Sequence, residues 1–207
     1  MDDVANSGAP ARARGRGRPR NAEADTAILS ATRALLAERG WADLTIAEVA
    51  ARAGVAKTTI YRRWPTKPEL VAAVTRAFHD AERAIPDTGT LRGDFRVMVR
   101  EIAEKAETTE GQGIGRMIMM DLSHPEVLAI AKATRDEFRR PWVAVLERAI
   151  ARGELPAGSD TSLILDLLIG PLLARRFRLG ETLDDTTLEL SLGIVLEGAL
   201  HGGAVRR

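Results

Sequence analysis

Apolar positions fall at helical spacing along most of the 207-residue chain, and the alternation that a strand needs is nowhere sustained. Ile28, Ala31 and Leu35 line one face of a segment running from Asn21 to Arg39, where Gly40 supplies a stop. The stretch "LTIAEVAARAGV" follows. Thr45 and Glu48 have capping-box spacing, with Leu44 and Val49 placed as a hydrophobic staple. Ile46, Val49, Ala50 and Ala53 repeat at i, i+3, i+4 and i+7, and Gly54 limits the helix to about nine residues. A second short helix is expected from Lys57 to Trp64, burying Ile60 and Trp64, with Pro65 closing it. Thr66-Lys67-Pro68-Glu69 is another cap signature, for a helix that should reach Ile85 before Pro86 and Gly89 break it.

Further helical patterns recur near 91–109, 113–121, 124–152, 160–178 and 185–201. Gly111 and Gly113, Pro125, Gly153 to Gly158, and Gly180 read as the breakers between them, and Pro141 should start or kink a helix. No internal repeat is visible. The pattern predicts an all-α chain of about nine helices, opening on a three-helix unit that contains a helix-turn-helix.

Composition narrows the class. Hydrophobic residues make up 45% but aromatics only 4%, so the core must be built from Ala, Leu, Ile and Val. The absence of cysteine excludes disulfides and thiolate metal sites and fits a reducing cytoplasm. The N-terminus has no apolar signal region, and the apolar run around "LLIGPLLA" is too short to span a bilayer. A cytoplasmic protein without membrane association is expected.

The net charge of +1 conceals an asymmetry. Residues 1–68 carry 12 Lys and Arg against 7 Asp and Glu, while the remainder carries 18 against 22. A basic first third on a mildly acidic remainder suggests that one end meets a polyanion. "RARGRGRPR", residues 12–20, concentrates the effect, with five arginines at alternate positions and nothing apolar to bury. Such an arm is expected to be disordered when free, as a solubilising tail or as a ligand for DNA.

Two short helices joined by "AGV" make the helix-turn-helix, whose second helix enters a major groove. That helix crowds Lys57, Thr58, Thr59, Tyr61, Arg62 and Arg63 around a single apolar Ile60. Donors so arranged match phosphate and base-edge acceptors, although a solvated surface would also tolerate them.

These residues resemble the TetR family of transcriptional regulators. Thr45-Ile46-Ala47 through Ala53-Gly54-Val55, then Thr59-Ile60-Tyr61, Trp64 and Lys67-Pro68-Glu69-Leu70, look like its signature over residues 22–70. The resemblance implies a ligand-responsive homodimeric repressor that binds a palindromic operator and releases it when a small molecule binds. It implies a phosphate contact for Thr45, base and phosphate contacts for Lys57, Thr58 and Thr59, and phosphate anchors at Tyr61 and Lys67. Arg62 is expected to take part in sequence preference. Ala56 and Ala47 depart from the family's commoner residues, as do Arg63 and Pro65, which bears on operator sequence. "RGRP" at 16–19 is similar to the core of an AT-hook, so Arg16, Arg18 and Arg20 become candidates for a narrow minor groove. The chain then divides into an arm at 1–20, a DNA-binding unit at 21–68 with a connecting helix from 66 to 85, and an effector-binding and dimerisation part at 69–207.

In that last part, Leu163 and Leu167 lie on a helix apolar on nearly every face, and Leu188, Leu192, Val195 and Leu196 on the final one. The resemblance makes these two helices the dimer interface. Met117, Met119 and Met120, with Trp142 and Phe177, are either core or the wall of an adaptable apolar pocket. His79, His124 and His201 are too dispersed for a metal site and read as surface or capping residues. No nucleophile–base pair, phosphate loop or cofactor motif stands out, so neither an enzyme nor a cofactor is expected. An architectural DNA-binding protein acting through the arginine arm is the alternative, and an all-α enzyme with a degenerate helix-turn-helix a third reading.

Overall fold

The computed structural model describes residues 19–79 and 84–201, with the side chains of 22–79 and 84–199. Arg16 and Arg18, and the side chain of Arg20, lie outside these described residues. Nine helices occur among them: α1 (Pro19–Asp43), α2 (Ile46–Ala53), α3 (Lys57–Tyr61), α4 (Lys67–His79), α5 (Leu91–Glu107), α6 (Thr109–Met120), α7 (Pro125–Ala151), α8 (Thr161–Arg178) and α9 (Asp185–His201). None is long and apolar enough to cross a membrane.

Gly40 breaks α1 internally at φ 76°, ψ −175°, a conformation that admits glycine and little else, and Trp41 can then turn inward. α3 is shorter than its apolar spacing predicts. Arg62 to Trp64 leave the helix, although the Trp64 N–H still donates to the Ile60 carbonyl at 2.9 Å. α4 is described as far as His79, and Ala84 and Ile85, expected at its end, are not helical. Pro141 does not start a helix, because α7 runs through it.

Gly111 and Gly113 are not breakers either; both lie inside α6. A Cβ on Gly111 would sit 1.8 Å from the Lys105 carbonyl oxygen, so glycine is what lets α5 turn directly into α6. Thr108 caps the new helix, its hydroxyl accepting from the Gly111 N–H at 3.0 Å. A Cβ on Gly113 would lie 2.7 Å from the Ala37 nitrogen, so there α6 presses on the backbone of α1. Glycine signals a stop and a close approach alike, and only the packing distinguishes them.

Two apolar clusters result. The first joins α1 to α4 and includes Ile114 and Met117 of α6 with Val127 and Ile130 of α7. The second joins α5, α7, α8 and α9 around Trp142, whose ring meets Phe95 edge-on at 5.5 Å. α6 packs against α1, α5, α7 and α8, and so borders both.

Polar devices tie the second cluster together. Asp94 is fully buried and accepts from the backbone and hydroxyl of Thr88 at 2.6 and 2.8 Å, with Arg148 and Arg152 at 3.4 and 3.6 Å. Arg96 with Glu189 and Arg100 with Asp185 (3.0 Å) bridge α5 to α9.

Inward and outward faces can now be assigned. On α9, Leu188, Leu192 and Leu196 point into the chain's own core, and Val195 packs beside them. The expected place of Leu188, Leu192 and Leu196 in a subunit interface is therefore corrected, Leu192 being 0% exposed within a single chain, whereas Val195 is only partly buried. The outward residues are Leu190 and Ile194, the latter 73% exposed. On α8, Leu163 and Leu167 do face outward, while Ile164, Leu165, Leu168, Ile169 and Leu172 are buried.

Candidate functional site

At the N-terminal end, α2 and α3 form a compact reading head braced against α1. Thr45 caps α2, its hydroxyl accepting from the Glu48 N–H at 3.3 Å and donating to the Glu48 carboxylate at 2.9 Å. That bond, reinforced by Arg39, holds the Glu48 carboxyl below its usual range against the opposing effect of burial. Arg52 grips Glu38 of α1 through two hydrogen bonds of 2.7 and 2.8 Å. Gly54 takes φ 66°, ψ 32°, and the Val55 N–H returns to the Ala50 carbonyl at 3.0 Å. This left-handed turn sets the angle between α2 and α3.

α3 turns Ile60 into the core and its polar residues outward. Lys57, Thr58, Tyr61 and Arg62 are exposed, Thr59 is half-buried, and Tyr61 keeps 48% of its surface accessible. Arg63 behaves differently, because its guanidinium pairs with Asp25 of α1 and ties the end of the head down. Ala56 stands at the helix start without a side-chain cap, and the Thr59 N–H donates back to the Ala56 carbonyl at 2.9 Å.

Lys67 has a bracing role that the sequence did not reveal. Its ammonium donates to the carbonyls of Trp41 and Leu44 at 2.8 and 3.0 Å and sits 4.2 Å from the centre of the Trp41 ring. Burial pulls its pKa below the ordinary lysine value, partly offset by Glu126 and Asp43. Two of its three donors are thus spent joining α4 to the link between α1 and α2.

A cavity of about 440 Å³ opens among α4 to α8. Of the five expected pocket residues, Met119 and Phe177 line it. Met117 and Trp142 are core, and Met120 is exposed on the far side of α6. The sulfur that does reach the cavity is Met119, one helical step round from Met120. Gly111, Ile114, Gly115, Ile118 and Met119 form one face of α6 here, and a Cβ on Gly115 would lie 2.0 Å from the Phe177 ring. His79, expected at the surface, lies on this wall with its ring 4.6 Å from that of Phe138. Phe78, Arg135 and Arg139 were not anticipated. The i, i+4 spacing of Ala131, Arg135 and Arg139, with Thr134 and Phe138 beside them, is the signal that marks their shared face of α7. Among the described residues no group of three His, Asp or Glu side chains could hold a metal ion.

Comparison with known proteins bears on both ends. Residues 28–74 match the profile described as bacterial regulatory proteins of the tetR family, and residues 85–194 the tetracyclin repressor-like C-terminal domain. The HTH-type transcriptional regulator AqdR of Rhodococcus erythropolis is 31% identical over 175 residues, 83% of each chain. A DNA-binding transcriptional repressor, TetR, of Mycobacteroides abscessus is 34% identical over 182 residues, 86% of this chain and 94% of the relative. Among solved structures, the regulator FadR from Bacillus subtilis, in complex with stearoyl-CoA, superposes with a TM-score of 0.66 at 19% identity, covering 86% of this chain and 98% of FadR. With an exposed α3 on a braced head, and both profiles matched in sequence order, the chain belongs to the TetR family of DNA-binding transcriptional regulators.

Proposed function

We propose that this regulator is a homodimeric repressor that holds a palindromic operator and leaves it when a small molecule enters the α4–α8 cavity. The observation that carries this reading is the double duty of α6. One face lines the cavity, with Gly115 against Phe177, while Gly113 bears on the backbone of α1 at Ala37. A ligand that shifts α6 shifts α1, and with it the head that α1 braces. The solved complex of FadR with stearoyl-CoA supports the idea that this fold can enclose a small molecule.

Residues 21–68 act as the reading unit and 69–207 as the effector and dimer unit. Thr45 and Tyr61 anchor phosphates, and Lys57, Thr58, Thr59 and Arg62 reach base edges or phosphates in the major groove. Arg16, Arg18 and Arg20 extend along the adjacent minor groove. The second copy docks on Leu163 and Leu167 of α8 and Leu190 and Ile194 of α9. A two-fold axis through that face sets the two heads roughly 34 Å apart, one turn of DNA.

Footprinting on DNA selected by the full-length protein tests this. A symmetric protected site that is lost on adding a cognate small molecule is the expected result. Protection without symmetry, spreading with protein concentration, would favour an architectural role instead.

A further inference from the structure

The cavity's lining is unusual for this chain. The sequence has four phenylalanines, and three of them, Phe78, Phe138 and Phe177, face this one space together with the His79 ring. Aromatic walls meet a flat π-system edge-on or offset, which adds to simple burial of apolar area. The polar lining is nearly all charged. Arg139 donates to the Asp166 carboxylate at 2.7 Å, and Arg135 stands 3.9 Å from the same carboxylate. Lys105 pairs with Glu101 at 2.9 Å. Three cations therefore share two carboxylates, and the surplus positive charge lies on the two arginines of α7. The Thr134 hydroxyl donates to the Ile130 carbonyl at 3.0 Å, so its proton is not offered to a ligand.

We infer that the cavity takes a planar aromatic acid, with its ring among Phe78, Phe138 and Phe177 and its anionic oxygen on Arg135 and Arg139. Arg135 is half exposed and Arg139 mostly buried, so the charge sits at the mouth and the ring lies inside. Between them the two guanidiniums share the one carboxylate of Asp166, with Arg139 also donating to the Ser162 carbonyl at 2.5 Å, so a ligand carboxylate or phenolate would add the second anion. This inference rests on the effector reading for its biological meaning, but binding to the cavity can be measured without DNA.

Titration calorimetry on the full-length protein with three matched probes tests it: 2-naphthoate, the neutral 2-naphthalenemethanol, and undecanoate. Naphthoate should bind about tenfold or more tightly than either comparison. Arg135→Gln, at a position half open to solvent, should leave the fold intact. It should weaken naphthoate by about three- to tenfold and leave the alcohol unchanged. Phe177→Leu should weaken both naphthyl probes and spare undecanoate. Equal or tighter binding of undecanoate or the alcohol overturns the inference, as does no naphthoate binding at millimolar concentration. It also falls if Arg135→Gln weakens the neutral probe equally. A protein that binds naphthoate but shows no operator would instead sink the regulatory reading and leave the aromatic acid standing.

Discussion

Tyr61 and Lys67 are both expected at the DNA backbone, yet the fold gives them different freedom. Tyr61 is exposed at the end of α3, with no hydrogen bond or ion pair from the described residues holding its hydroxyl. Tyr61→Phe should lower operator affinity by about three- to tenfold, one hydrogen bond's worth, and by the same factor for every operator variant. A changed sequence preference in a binding-site selection would refute the anchoring role. Lys67 instead staples α4 to the carbonyls of Trp41 and Leu44. Lys67→Met should cost about 1–3 kcal/mol of stability by orphaning those carbonyls, visible as a lowered melting temperature before any DNA is added. The sequence shows a lysine at a family position; which way its ammonium turns depends on Trp41, twenty-six residues earlier. Acid should act on the same head. Glu38 and Glu48 are held below the ordinary value of 4.5, chiefly by Arg52 and by the Thr45 hydroxyl respectively. A carboxylate with a depressed folded pKa stabilises above its unfolded value and loses that contribution as pH falls through the folded one. Glu38 is exposed and Glu48 partly so, and the loss below pH 4.5 should therefore be modest and should shrink in high salt. Thermal melts from pH 6 to pH 3 would show it.

The elements differ in how plainly their sequences announce them. α2 is legible in full, because Thr45 and Gly54 are cap residues whose side-chain and backbone chemistry acts within a few positions. The spans of α5, α7, α8 and α9 are legible from apolar spacing. The role of α6 is not, because its glycines serve neighbours distant in sequence: Ala37 for Gly113 and Phe177 for Gly115. Those two positions yield opposite expectations. Gly115→Ala meets the tip of a phenylalanine ring, which can swing away into the cavity. The variant should fold and bind operator normally but respond to ligand weakly or not at all. Gly113→Ala meets backbone, which cannot give cheaply, and should separate α6 from α1 at a cost of about 1–3 kcal/mol. Operator binding and melting temperature, measured for both variants, check the contrast. If Gly115→Ala released DNA with the wild-type ligand dependence, the cavity face of α6 would not be the responsive one.

At the scale of the whole molecule, the proposed dimer requires a surface to meet its second copy. The last helix reads "LELSLGIVLEGAL", with apolar residues on every face, so periodicity alone cannot choose an inward side. Packing chooses it: Leu192 is sealed against α5 and α8, while Leu190 at 62% exposure and Ile194 at 73% remain outside. Leu163 and Leu167 of α8 are likewise exposed, at 42% and 54%. Gly170, Gly193 and Gly198 have nothing within 4 Å of where a Cβ would stand. Mid-helix glycine costs about 1 kcal/mol against alanine, and close approach of a partner helix is one use that offsets it. Substitutions on the outward and inward faces therefore separate the proposed interface from the core. Ile194→Glu, with Leu167→Glu if one charge is insufficient, should leave melting of the chain's own fold cooperative and helical content unchanged. Light scattering at micromolar concentration should then report a monomer, and operator affinity should collapse, because one head alone reads half a palindrome. Leu192→Glu should do something else. It places a carboxylate in a sealed apolar cluster and should unfold α9 and lower the melting temperature sharply, whatever the concentration. A wild-type protein that is already monomeric would overturn the proposed dimer, and an Ile194→Glu, Leu167→Glu variant that remains dimeric would move the interface off the α8–α9 face altogether.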